Sequence, residues 1–280
     1  MLRQEGKGLS TDVEKAEALN RAHWDEVAPV HLASYGVEGL LAGESRIDKV
    51  QKSELYPIRG KDLIHLQCHI GTDTLSLALD GANVTGVDFS SKSLAIARRL
   101  AAQMNIRAEF VEANVLDLRE VITEKYDIVY TSKGVLSWIS DLERWADTIA
   151  FLLKEQGTFY IMELHPVSCM FDDTAEGDLR IKYPYFHNRE PIHFDDDHPD
   201  YSDRAYVPVN KTWEWLWPLS DVTNALIRSG LVIEMLNEHD KAFYPALPGM
   251  VRTEDSWWIL EKYRGMVPFT FSLRARKQGR

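Results

Sequence analysis

Cysteine is nearly absent: Cys68 and Cys169 are the only two in 280 residues, and they form no close Cys-x-x-Cys ligand pair. That excludes a disulfide scaffold and a zinc ribbon. Long apolar runs are missing as well, since no window approaches the roughly eighteen uninterrupted residues of a membrane span. Positive charge is in deficit, with 32 Lys and Arg against 43 Asp and Glu and a formal net charge of −11. Such a field repels phosphate backbones and anionic bilayers, so neither nucleic acid nor a membrane is an expected partner. The start MLRQEGKGLS carries no apolar stretch behind its charges, which points to a reducing cytoplasm rather than secretion. Repeats, low-complexity tracts and a serine nucleophile elbow are also lacking. What is plentiful is apolar surface, at 45% of residues, together with eight tryptophans; a chain of this length and composition builds a sizeable core and is not disordered.

Along the chain, Val13, Ala16, Leu19, Ala22, His23 and Val27 recur at three and four residues. The pattern predicts a helix over Thr11–Val27 that Pro29 ends. Residues 31–55 read as a shorter helix or loop. From Lys61 the character changes. DLIHLQCHIG is an apolar strand entering a turn, TDTLSLALDG a helix, NVTGVDFS a strand, and SKSLAIARRLAAQMN an amphipathic helix capped by Ser90 or Ser91. Further strands follow at Arg107–Val111, YDIVYTS and TFYIMEL, with a helix over ISDLERWADTIAFLLKEQG. Strands spaced by helices imply right-handed crossovers and a largely parallel sheet covered on both faces. The rhythm breaks between about His165 and Lys211, too long for an ordinary connection, and resumes with LSDVTNALIRSG, LVIEMLNEH and PFTFSLRARK. The expected division is an N-terminal cap or lid (1–60), a ligand-binding core (61–165), a substrate-binding insertion (166–212) and the remainder of the sheet (213–280).

The chemistry centres on the turn after the first strand. Backbone amides from Gln67 through Cys68, His69 and Gly71 to Thr72 converge near a helix N-terminus, where an anionic group is favoured. The dinucleotide fingerprint G-x-G-x-x-G is absent, yet Asp88 ends the second strand seventeen residues after Gly71, placed to accept from two ribose hydroxyls. The combination points to a nucleoside and away from a dinucleotide. Asp195, Asp196, Asp197, Asp200, His193 and His198 invite a metal, but adjacent carboxylates in a loop point apart, and the stretch reads as a solvated face with no metal. Trp213, Trp215 and Trp217 alternate as strand neighbours do, and Trp257 and Trp258 lie near Tyr263; the excess suits an aromatic-lined pocket as well as a core.

Taken together, LIHLQCHIG, VTGVDFS, FVEANVLDL and YDIVYTSKGVLSWISDLERW resemble the motifs of class I S-adenosylmethionine-dependent methyltransferases, over about residues 61–165. The resemblance implies an α/β fold: a Rossmann-like seven-stranded sheet of order 3-2-1-4-5-7-6 with helices on both faces. It puts His65 at the usual acidic position, Gln67 and His69 at the first two glycine positions, and Gly71 at the third. It also puts Asp88 on the ribose, Phe89 beside the adenine, Asn114 and Val115 at the adenine edge, and Ser132, Lys133 and Gly134 around the methionine part, with Ser90 among the donor-binding residues. NRAHWDEVAPVHLASYG is similar to a segment that closes over the methyl donor in small-molecule members, which makes Trp24 and Tyr35 lid candidates.

The implied reaction is an in-line transfer of methyl from S-adenosylmethionine to an N, O or C nucleophile, leaving S-adenosylhomocysteine. Candidate bases are His165, Tyr183, His187 and His31, with His165 first because the carboxyl ends of parallel strands face the ligand crevice. Tyr183, Tyr185, Phe186, Trp213 and Trp215, with His165, His187 and Tyr206 as polar handles, suggest a small aromatic or heteroaromatic acceptor of natural-product type, methylated without a metal. A protein or RNA methyltransferase is the alternative enzyme; a nonenzymatic nucleoside- or partner-binding module is the other. Homo-oligomerisation is left open.

Overall fold

The computed structural model describes residues 8–186, 189–195 and 197–279, so His187 and Asp196 lie outside the described residues. Three helices come first: α1 (Gly8–Ser34), α2 (Glu38–Leu41) and α3 (Lys49–Leu55). An alternation follows through β1 (Asp62–Leu66), α4 (Thr72–Leu79), β2 (Asn83–Asp88), α5 (Ser91–Gln103), β3 (Ala108–Glu112), α6 (Leu118–Val121), β4 (Tyr126–Ser132), α7 (Leu142–Leu152) and β5 (Leu153–Leu164). The chain continues with β6 (Ile192–Phe194), β7 (Thr212–Glu214), α8 (Leu219–Arg228), β8 (Leu231–His239), β9 (Val251–Arg252), β10 (Trp258–Ile259) and β11 (Thr270–Lys277). No helix among the described residues is long and apolar enough to cross a membrane.

Seven strands form one sheet in the order β3-β2-β1-β4-β5-β11-β8. Counting only that sheet's strands, this is the expected 3-2-1-4-5-7-6. The first five are parallel, and β11 runs antiparallel to both β5 and β8. Burial on both faces explains the near-continuous apolar runs. Ile64, Leu66, Val129, Phe159 and Phe271 pack on one side with Trp145 of α7 and Leu226 of α8. Leu63, Tyr130, Tyr160 and Met162 pack on the other with Leu55 of α3 and Leu77 of α4. The buried Glu54 fastens α3 to that second face by accepting from Tyr160 Oη (2.7 Å), Asn237 Nδ2 (2.8 Å) and Ser272 Oγ (3.0 Å). Strand order reverses between β1 and β4, which opens a crevice at their carboxyl ends.

Three elements depart from the sequence reading. Helix α1 runs through Pro29 to Ser34. Pro29 is exposed while Val27, Ala28 and His31 are buried, so the missing N–H costs one bond on the solvent side and inward packing outweighs it. Helix α7 stops at Leu152, and β5 takes Leu153 onward. Lys154 Nζ reaches Asp62 (2.7 Å) and Asp127 (3.1 Å), which draws the chain into the extended path. Of the three alternating tryptophans only Trp213 lies in a strand, β7, which pairs with β6; Trp215 is buried beyond it. A second excursion, 240–269, carries β9 and β10 and a small apolar cluster around Phe269, Leu247 and Met250.

Gly71 caps α4 at φ +76, and a Cβ there would sit 2.8 Å from Ala97 Cβ and 3.2 Å from the Phe110 ring. Gly71→Ala should therefore cost both left-handed strain and overpacking, about 2–4 kcal/mol in urea denaturation. Gly177, at φ +90 with nothing within 4 Å, should cost only about 1–2 kcal/mol as alanine. Equal losses at the two positions would remove the close approach of α5 as the constraint on Gly71.

Candidate active site

The turn between β1 and α4 keeps a glycine-like backbone with non-glycine residues. Gln67 (φ +55) and His69 (φ +50) are both left-handed, as is Gly71. Strain of about 1 kcal/mol or more at each persists only where the surroundings fix it. Gln67 Nε2 donates to the Val135 carbonyl (3.0 Å). The His69 ring is held at both nitrogens, Nδ1 at 3.0 Å from Ser93 Oγ and Nε2 at 2.8 Å from His31 Nδ1. His31 Nε2 in turn donates to Asp200 (3.0 Å), whose other oxygen accepts from Ser202 N (2.8 Å) and Oγ (2.6 Å). Tyr35 Oη lies 3.1 Å from His31 Nδ1 and bonds the Tyr201 hydroxyl. Burial pushes His69 well below the usual histidine range. Burial alone would raise Asp200, but donation from His31 and Ser202 prevails and holds it at about 2.

Asp88 accepts from His69 N and Ser90 N, each at 2.8 Å, and burial, working against those donors, raises it to about 6. Beside it lies a narrow cleft of about 30 Å³ bordered by Gln67, Phe89, Asn114 and Val115, and closed by Glu17 and Asn20 of α1 and by Trp138. Glu17 accepts from Asn114 Nδ2 (3.0 Å) and Ser140 Oγ, and burial raises its carboxyl. Asn20 grips the Trp213 backbone in both directions, at 2.7 and 2.8 Å. Gln67 Oε1 is buried with no partner among the described residues. Five of the expected nucleoside contacts thus border one cleft: Gln67, Asp88, Phe89, Asn114 and Val115.

The other expected contacts shape this site from behind. His65 is buried, bonded to Thr74 Oγ1 (2.8 Å) and pushed down to about 4 by burial. Cys68 donates its N–H to Val87 (2.8 Å), Gly71 and Thr72 open α4, and Ser90 caps α5. Ser132 donates to Asp73 (3.2 Å), and Lys133 pairs with Asp48 (3.4 Å). Gly134 N, with Val135 N, Leu136 N and Leu164 N, donates to the buried Glu163 at 2.6–3.1 Å. That carboxylate organises the loop after β4, and no sequence pattern marks it.

A larger cavity of about 310 Å³ opens beyond Trp138, under α1 and both excursions. Tyr183, Phe194, Tyr201 and Tyr244 give it aromatic walls; His23, Cys169, Asp200, Lys211 and Glu214 give it polar ones, and Trp24 borders it. Burial raises Glu214 to about 7 and Cys169 to about 12. Of the expected bases, Tyr183 lines this cavity. His165 and His31 line neither space. His165 accepts from Val167 N at Nδ1 (3.1 Å) and sets Nε2 against Glu238 (2.8 Å), while His31 is fully buried among the partners above. Tyr185, Phe186, Trp213, Trp215 and Tyr206 also lie off the lining; Tyr206 instead donates to Glu26 (2.8 Å). The acidic run is dispersed: Asp197 pairs with Lys211, Asp195 approaches His193 at 3.9 Å, and Asp200 turns inward. Glu17, Asn20, His23, Trp138 and Glu214 are site residues that sequence reasoning missed. On α1 the spacing 17, 20, 24, 28, 31, 35 does mark a single helical face, but a largely polar one.

A family model described as a methyltransferase domain matches residues 64–159. Among curated proteins, the ubiquinone biosynthesis O-methyltransferase of Actinobacillus pleuropneumoniae is 24% identical over 55% of this chain and 64% of its own length. The demethylmenaquinone methyltransferase of Clavibacter sepedonicus is 28% identical over 55% and 62%. The chain spans less than two thirds of the length of these relatives. Among solved structures, an S-adenosylmethionine-dependent methyltransferase from Mesorhizobium loti aligns with TM-score 0.60 and 23% identity over 85% of this chain and all of its own. One from Clostridium acetobutylicum aligns with TM-score 0.54 and 16% identity over 89% and 96%. The fold is therefore that of the class I methyltransferases.

Asp88 yields a pH signature. With its folded value near 6 above the unfolded 3.8, the native state binds the extra proton between those limits, so stability is highest below about pH 4 and is lost as pH rises through 6. Chemical denaturation from pH 4 to 7 should show the wild type losing up to about 3 kcal/mol relative to Asp88→Asn. Parallel curves would mean that Asp88 stays ionised throughout.

Proposed function

We propose that this chain transfers a methyl group from S-adenosylmethionine to an N, O or C nucleophile of a small aromatic or heteroaromatic molecule. One observation carries the reading: a narrow cleft with nucleoside-type groups and a larger aromatic cavity meet at Trp138, which borders both. The cleft suits the donor. Asp88 has lone pairs left for ribose hydroxyls, Phe89 offers a ring face, and the unpartnered Gln67 Oε1 is a buried acceptor awaiting a donor group. The cleft as it stands has room for about one water, so adenine enters by parting Glu17 from Asn114. The bound donor supplies a methyl already activated by the positive sulfur; the chain's residues supply alignment and a water-poor surrounding. No Lewis acid is needed for that chemistry.

Residues 1–60 act as the lid, 61–165 hold the donor, and 166–212, joined by 240–269, shape the acceptor side. The relatives named for O-methylation in ubiquinone biosynthesis and for methylation of demethylmenaquinone support a small ring-bearing acceptor. An RNA acceptor fits poorly, because the chain is acidic and the cavity lining includes Asp173, Asp200 and Glu214.

S-adenosylhomocysteine should raise the melting temperature while NAD does not. Asp88→Ala should weaken its binding by about 1.5–3 kcal/mol in calorimetry. Because ribose hydroxyls favour the ionised carboxylate, wild-type affinity should tighten as pH rises through about 6, and Asp88→Asn should flatten that slope. Turnover is read as one added CH2 by mass spectrometry across a metabolite panel, with and without EDTA. Stabilisation by NAD instead, or methylation of RNA or protein alone, would reject the assignment.

A further inference from the structure

His23 lines the larger cavity from α1, and its Nδ1 lies 2.9 Å from the Asn210 carbonyl oxygen. A carbonyl only accepts, so Nδ1 carries the proton, and the neutral ring presents a bare Nε2 lone pair. Nε2 has no hydrogen-bond partner among the described residues. The anchor is itself fixed. Glu26, one helical turn on, accepts from Asn210 N (2.9 Å), Asn210 Nδ2 (2.6 Å), Val209 N (2.7 Å) and Tyr206 Oη (2.8 Å). Helix α1 thus grips one loop at two points and aims its carbonyl at the imidazole. The ring also lies nearly parallel to Trp138, with centroids 6.3 Å apart and planes at 18°, and Trp138 Nε1 is tied to the Gly134 carbonyl at 2.8 Å. Since Trp138 is the wall shared by the donor cleft and the cavity, His23 stands at their junction.

We propose that His23 is the general base of the methyl transfer, an inference that rests on the function proposed above. Its Nε2 takes the proton from an acceptor O–H or N–H. The bonding pair stays on the acceptor atom, which bonds the methyl carbon of the sulfonium donor as the C–S pair returns to sulfur. The resulting imidazolium then releases its proton to solvent. Burial lowers the pKa of His23 and prevails over the Asn210 carbonyl and the carboxylates of Asp200 and Glu26, which oppose the shift, while His31 adds to it. The other nearby groups serve less well. Cys169 is held as a thiol by burial, and His31 and His165 are occupied off the lining. Glu214, Tyr183, His198 and Asp173 are further titratable groups on the lining, and the graded loss expected of His23→Gln separates them.

Two measurements test the assignment. Long-range proton–nitrogen NMR on histidine-labelled protein, with the His23 signals assigned by their loss in His23→Gln, should show a protonated Nδ1 and a bare Nε2 at neutral pH. The Nε2-protonated tautomer would overturn the proposal without any turnover assay. The second measurement follows methylation of ring-substituted phenols at saturating S-adenosylmethionine. His23→Gln should lower kcat by about 10²-fold or more on phenols of pKa about 10. The loss should shrink severalfold or more on nitrophenols already ionised at the assay pH, with S-adenosylhomocysteine affinity unchanged. A uniform loss along the series, or a graded loss in Glu214→Gln in its place, overturns it. If the wild type binds no S-adenosylhomocysteine, the methyl-transfer reading itself fails; if it binds and the loss is uniform, only the role of His23 does.

Discussion

The roof over the carboxyl ends of the sheet is a helix that faces inward largely with polar groups, and the site depends on how those groups are satisfied. Glu17 meets the loop after β3, Asn20 meets β7, and His23 and Glu26 meet the 206–210 loop. Asp25 accepts from Ser90 Oγ and Lys92 N at the start of α5, and His31 meets the first turn and Asp200. A helix that covered only apolar side chains would show an apolar stripe; α1 covers loops, whose exposed backbone and side-chain groups need partners. Each such bond contributes about 1 kcal/mol net, so none holds the roof alone. Because one helix closes both the cleft and the cavity, any outward shift of α1 opens the two spaces together.

Beneath that roof, the turn after β1 shows how a glycine position can be held by something else. At Gln67 and His69 the left-handed backbone is retained, and the side chains act as struts to Val135, Ser93 and His31. At Gly71 no strut is available, because the space a Cβ would need belongs to Ala97 and Phe110. The first two positions therefore tolerate side chains for a geometric reason and the third does not. The exchange also ties the turn to the lid, since the His69 ring ends on a histidine of α1.

The parts legible in the sequence were those with a period or a strand-end address. The seven strands, their crossovers and the strand-end position of Asp88 follow from alternation of apolar runs and helical spacing, whereas the position of Phe89 was implied by the resemblance alone. The parts that were not legible depend on distant partners. Glu163 is one acidic residue near a strand end until three backbone N–H groups of the segment after β4 and that of Leu164, at the end of its own strand, converge on it. His165 looked well placed by strand topology, but Glu238 and Val167 turn its ring away from the cavity. Periodicity that searches for apolar residues counted His23 as a filler of the α1 stripe; only the position of the Asn210 carbonyl gives it a defined tautomer. Pro29 misled for the opposite reason, since a local rule about lost hydrogen bonds yields when the proline faces water.

Carboxylates around the two spaces divide by whether donors or burial prevail. Glu26 and Asp200 are held at about 2 because several donors outweigh their desolvation. Asp88 at about 6 and Glu214 at about 7 are raised because burial outweighs theirs, and Glu17 and Glu163 move in the same direction. Buried groups left near their titration points respond most to a neighbouring charge, since a cation within a few ångströms favours the ionised form. Under the methyl-transfer reading, Asp88 and Glu17 of the cleft and Asp200 and Glu214 of the cavity would be carboxyls near a sulfonium donor held where the two spaces meet. The donor's arrival favours ionisation of the raised carboxyls, and its conversion to a neutral thioether removes that favour. Under that reading the same groups would favour the charged donor over its neutral product.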